Sequence, residues 1–129
     1  MPGRDRSSTP SAPSVHHAWV CEGVLEITFQ GHLDPEIIET SLRQLTALNA
    51  QKKLDRILIN GLDVENFTPH VSSPAGRLIS LARERGAREV VFIVATGSNR
   101  MISASVAFAA QIPLKMFETR GEALAYIGV

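Results

Sequence analysis

The sequence is poor in the features that most often announce a function. Cys21 is the single cysteine in 129 residues. Neither an internal disulfide nor a multi-cysteine metal site can form from it, which fits a reducing, cytoplasmic setting. Charge of neither sign prevails, because 13 Lys and Arg balance 13 Asp and Glu. No long-range field is left to gather nucleic acid or anionic lipid, so neither is an expected partner. Apolar runs stop short of the roughly 18 residues that span a bilayer. The nearest, Ile102 to Leu114, is broken by Ser103, Ser105, Gln111 and Pro113. The N-terminal stretch Met1 to Ser14 holds Ser, Pro and Arg in place of the apolar segment of an export signal. His16, His17 and His32 are too scattered to make a metal set. No metal, no cofactor and no membrane span are expected.

What is present is an ordinary globular balance, with 44% hydrophobic and 20% charged residues. One domain over 15–129, preceded by a disordered arm over 1–14, is the expected organisation. Val15 to Cys21 and Val24 to Phe29 flank Glu22-Gly23 as the strands of a hairpin. In the second strand Leu25, Ile27 and Phe29 alternate with Val24, Glu26 and Thr28, which places the first set in the core. Gly31 closes that strand. Asp34-Pro35 then opens a helix as N-cap and first helical residue, followed by Ile38, Leu42 and Leu45 at helical spacing. Arg56 to Gly61 and Glu89 to Ala95 have the continuous apolar character of strands covered on both faces.

Between those strands, Ser73-Pro74 opens a second helix with Ala75, Leu78, Ile79 and Ala82 inward, and Gly86 ends it. Met101 to Ala110 traces a third helix. Leu114 to Phe117 is a short strand, and Thr119-Arg120-Gly121-Glu122 is a capping box that starts a last helix. The expected fold class is α/β, a mixed sheet of about five strands with about four helices packed on it.

This order and several of its residues resemble the STAS domain, the module of anti-sigma factor antagonists and of sulfate-transporter tails, in particular its divergent SpoIIAA-like branch. The resemblance rests on Phe29-Gln30-Gly31-His32-Leu33, on Ile57 to Gly61 running into Asn66-Phe67-Thr68-Pro69, and on the helix end Arg83-Glu84-Arg85-Gly86. It extends through Val90 to Ala95 and the closing Phe117 to Ile127. In the family's antagonists the strand-to-helix turn reads Asp-Ser-Ser-Gly, and a partner kinase phosphorylates the second serine. The matching positions are Val71-Ser72-Ser73-Pro74, so the resemblance implies Ser73 as phosphoacceptor, with Ser72 beside it.

Three function classes follow. The first is a non-enzymatic regulatory module that docks a protein partner, a kinase or regulator, around Phe67, His70 and Arg77. In that class Ser73 is a switch, whereas capping chemistry alone makes it a helix N-cap. The second is a small-ligand domain, in which Gly97, Ser98, Asn99 and Arg100 collect an anion or nucleotide at a strand-to-helix turn. The third, a hydrolase on His70 and Ser73, lacks both an orienting acid and a Gly-x-Ser-x-Gly elbow, so no catalytic residue is assigned. The small apolar helix Met101 to Ala110 suggests a homodimer contact or a partner contact. Cys21, in a strand, is expected to be a buried small apolar side chain.

Overall fold

The computed structural model describes residues 13–48, 52–67, 70–94 and 111–129. Along the chain these form β1 (Ser14–Cys21), β2 (Val24–Leu33), α1 (Pro35–Thr46), β3 (Arg56–Phe67), α2 (Ser72–Glu84), β4 (Glu89–Ile93), β5 (Leu114–Phe117) and α3 (Arg120–Ile127). The strands make one sheet in the order β1-β2-β3-β4-β5. β1 is antiparallel to β2 and every other pairing is parallel. The mixed five-stranded sheet expected from the sequence is therefore present. Three helices stand among the described residues rather than about four, and the expected helix Met101 to Ala110 lies outside them.

Alternation along the strands builds two cores. Leu25, Ile27 and Phe29 of β2 join Ile57, Ile59, Val90 and Phe92 beneath Ile38 and Leu45 of α1 and Leu78, Ile79 and Ala82 of α2. The opposite face collects Val24, Leu58, Val91 and Ile93 against Ala123 of α3. β3 and β4 read as unbroken apolar runs because each of their faces is covered. β3 lies centrally, as its composition predicts.

Two strands run further than their glycines suggest. Gly31 has φ +80° and lies within β2, where the register with β3 shifts at Thr28/Gln30 and again at Gly31/His32. Glycine at positive φ here makes a bulge instead of an end. β3 likewise continues past Gly61 to Phe67, so that Leu33 stands opposite Phe67.

The helix ends follow capping rules more closely. The Asp34 carboxylate accepts the Ile37 amide at 2.9 Å with Pro35 at the first helical position. The far end of α1 is held from outside, since the Arg85 guanidinium donates to the carbonyls of Thr46 at 2.6 Å and Leu48 at 3.0 Å. Thr119 caps α3 by accepting the Glu122 amide at 3.1 Å. The Glu122 carboxylate takes the Thr119 hydroxyl, also at 3.1 Å, rather than a backbone amide as a full capping box would have it.

α2 ends in a Schellman turn. Gly86 donates to Arg83 and Ala87 to Ala82, both at 3.0 Å, with Gly86 at φ +113°. A Cβ on Gly86 would lie 2.8 Å from the Leu54 carbonyl oxygen. Gly86→Ala is therefore expected to cost about 1–3 kcal/mol in urea unfolding. Gly76→Ala is the control, because Gly76 lies within α2 and a Cβ there meets nothing within 4 Å.

β1 ties to α1 through His17, whose Nε2 is 2.7 Å from the hydroxyl of the fully buried Ser41. Burial holds this imidazole below its ordinary value of 6.5. The native state thus favours neutral His17, and the unfolded chain takes up the proton first as the pH falls. Stability from this site is complete above 6.5 and is lost as the pH drops through the lower native value. Thermal unfolding followed between pH 7.5 and 5 should show this slope, and His17→Gln should flatten it. Cys21, at the end of β1, is exposed, contrary to the buried role expected. The register breaks between Trp19 and Cys21, and Cys21, paired with Val24, is the last strand residue before the Glu22-Gly23 turn, where its side chain is exposed.

Candidate functional site

The candidate surface begins where β2 and β3 outrun β4. Beyond Ile59 and Asn60 the two strands continue as a pair, with Gly31 opposite Val64 and His32 opposite Asn66. The side chains of His32 and Asn66 hydrogen-bond across this extension. Asp63, Glu65 and Asn66 are exposed along it. Phe67 is the last residue of β3, and His70 stands exposed in the turn that follows.

α2 starts two residues earlier than Ser73 as cap and Pro74 as first helical residue would place it. Its N-cap is Val71, which is buried and has no side-chain oxygen, and no side-chain bond caps the helix. Ser72, Ser73 and Pro74 are the first three helical residues, and the first helical amide bond is Ala75 to the Val71 carbonyl at 3.0 Å. Ser73 is accordingly not an N-cap. Proline fits at the third position because the first-turn amides have no intrahelical acceptor, so its missing N–H breaks nothing. Burial of both Val71 and Pro74 against the core fixes this start and leaves Ser72 and Ser73 exposed. One turn on, Arg77 is exposed and pairs with Glu39 of α1 at 3.1 Å. Phe67, His70, Ser72, Ser73 and Arg77 thus follow one another from the end of β3 onto α2. Gly97, Ser98, Asn99 and Arg100, the anion-turn candidates, lie outside the described residues.

A second polar constellation escaped the sequence reading. Glu26 is only 7% exposed although it sits on the face of β2 opposite the larger core. Arg120, the first residue of α3, grips it with two bonds, Nη2 to Oε1 at 2.8 Å and Nε to Oε2 at 3.0 Å. Asn60 adds a third donor to Oε2 at 3.1 Å and accepts the Leu62 amide with its own oxygen. The Arg120 hydrogen bonds hold the Glu26 carboxyl below its ordinary value against the opposing effect of burial. At the other end of α3, the Tyr126 hydroxyl donates to Glu89 at 2.6 Å, and Glu89 also accepts from Arg56 at 2.9 Å. Arginine at a helix N-terminus opposes the helix dipole. That misfit, together with a lone acid in an apolar alternation, was the available signal. Both constellations join α3 to the sheet, and their carboxylates are engaged by donors.

Among the described residues no group of three or more His, Cys, Asp or Glu side chains is placed to hold a metal ion. None of the described helices is long and apolar enough to cross a membrane.

No family model matches the sequence, and no curated protein matches it either. Solved structures do match. An uncharacterised protein of the DUF3478 family from Shewanella loihica, described as having a SpoIIAA-like fold, superposes with a TM-score of 0.62 at 14% identity. The match covers 92% of this chain and 97% of that one. The anti-sigma factor antagonist SpoIIAA in its unphosphorylated form gives 0.65 at 17% identity, covering 90% and 100% of the two chains. The Bacillus cell fate determinant SpoIIAA in its phosphorylated form gives 0.58 at 17% identity, covering 88% and 99%. The likeness is one of fold, and the chain has the SpoIIAA-like, STAS-type fold that its sequence resembles.

Proposed function

We propose that this chain is a regulatory module of the anti-sigma factor antagonist kind, which works in the cytoplasm by docking a protein partner and carries out no reaction of its own. The docking surface runs from Phe67 through His70 to Arg77, and a phosphate on Ser73 is its switch. The observation that carries this reading is the exposure of Ser72 and Ser73 in the first turn of α2, within a SpoIIAA-like fold.

The physics of that position favours a phosphate. The amides of Ser72 and Ser73 have no helical acceptor, and the positive end of the helix dipole lies there. Arg77 is four residues on, the spacing that brings side chains together along a helix. A phosphoserine adds nearly two negative charges and three acceptor oxygens, enough to change which partner the surface accepts. Pro74 lacks an amide, so the backbone donors beside the phosphate are those of the two serines.

The test is intact-mass measurement with site mapping on protein recovered from its own cells in several growth states. A phosphate on Ser73 in some of those states, with Ser73→Asp changing partner binding at least about tenfold, is the expected result. A well-covered Ser73 that is never modified, or partner binding unchanged in Ser73→Asp, overturns the switch.

A further inference from the structure

The two edges of the sheet are built differently. β5, at one edge, is four residues long, follows directly on Pro113, and bears an exposed Lys115 whose Nζ lies 5.8 Å from the centre of the Tyr126 ring. Shortness, proline and lysine are the devices by which proteins keep a strand edge from pairing with another chain. β1, at the other edge, likewise follows a proline, Pro13, but it is twice that length and bears no lysine. Its eight residues, Ser14 to Cys21, include no proline, no glycine and no Lys, Arg, Asp or Glu. Its ladder with β2 is regular from Ser14 opposite Gln30 to Trp19 opposite Leu25. Among the described residues β1 pairs with β2 alone.

We infer that the free edge of β1 pairs with β1 of a second copy of this chain, antiparallel about a two-fold axis, so that two sheets become one. An isologous contact requires a surface complementary to itself. An antiparallel strand edge meets that requirement, because its outward N–H and C=O groups match those of its own reversed copy. The strand has no permanently charged side chain, so at neutral pH no choice of register sets like charges opposite one another. The nearest competitor, the chain's own N-terminal segment, carries Pro2, Pro10 and Pro13. Each lacks the amide that a ladder needs, which makes it a poorer occupant than a second β1. His17 does not obstruct the edge, since its ring is engaged with Ser41 of α1.

Sedimentation of the full-length chain over a wide concentration range, with amide hydrogen exchange, tests this. Ala18 is exposed and stands opposite Glu26, and His16 is exposed opposite Thr28. Ala18→Lys and His16→Lys each set a cation on the edge without entering the larger core. The wild-type chain should dimerise with outward β1 amides protected, and each variant should raise the dissociation constant at least about tenfold. Using both variants guards against one that fails to fold. A chain that stays monomeric throughout overturns the inference. So does a dimer that both lysines leave intact, which would place the contact elsewhere, for instance on Met101 to Ala110. Protection of β1 in a monomer, lost on deleting residues 1–12, would assign the edge to the chain's own arm and overturn it too.

Discussion

Arg120→Ala is expected to destabilise the fold by about 1–3 kcal/mol at pH 7, the cost of leaving a buried acceptor unsatisfied, and by less near pH 4. In the wild-type chain Glu26 receives two bonds from Arg120 and one from Asn60. Removing the guanidinium leaves a carboxylate beside Val24 and Leu58 with a single donor. The Arg120 side chain is 47% exposed, so solvent screens part of the pair, and the loss should stay below the roughly 3–5 kcal/mol seen when fully buried pairs are broken. The sign of the pH effect follows from the native titration. Arg120 holds the Glu26 carboxyl below 4.5, so its stabilisation is present above that value and is lost as the pH falls through the lower native one. Without Arg120, burial is opposed by the Asn60 hydrogen bond alone, the carboxyl protonates at higher pH than in the wild-type chain, and protonation relieves the variant. Glu26→Gln, which keeps the shape and frees a half-exposed arginine, should cost less than Arg120→Ala at pH 7. Urea unfolding at the two pH values measures all of this. An equal loss at both would show that Arg120 acts through packing rather than through the carboxylate.

The pair also marks a boundary of what the sequence could tell. Period-two alternation assigned Leu25, Ile27 and Phe29 to one face and Val24, Glu26 and Thr28 to the other, and that assignment is correct. Alternation states which residues share a face, yet it cannot state what covers it. Glu26 is buried because α3, whose first residue lies 94 positions further along, returns across the second face of the sheet. Local chemistry was legible wherever the partner is near in sequence: Asp34 with Ile37, Thr119 with Glu122, and Gly86 with Arg83. It misled where two local rules compete. Ser-Pro can begin a helix either with serine as cap or with proline in a later first-turn position, and burial of Val71 and Pro74 decides for the second. Gly31 and Gly61 pose the same ambiguity between an end and an interruption. Pairing of β2 with β3 as far as Phe67 resolves it and carries the candidate surface outward with the strands.

The two cores should answer differently to the same insult. Ile57 and Leu58 are adjacent in β3, are both fully buried, and point to opposite faces. Ile57→Ala opens a cavity beneath α1 and α2, two helices of 12 and 13 residues with capped or buried ends. That layer has little freedom to settle, so the loss should fall in the upper part of the about 2–5 kcal/mol range for such truncations. Leu58→Ala opens a cavity beneath α3, which has eight residues and only Ala123 fully buried. A short helix can move inward, and a site that collapses costs less than one that stays open. Leu58→Ala should therefore lie in the lower part of that range, and in Arg120→Ala it should cost less again because the helix is already released. A double-mutant cycle separates these terms, since residues sharing one mobile element couple while Ile57 and Arg120 should add. If Leu58→Ala proves as costly as Ile57→Ala and insensitive to Arg120, α3 is as rigid as the other two helices, and the charged pair does not control its seating.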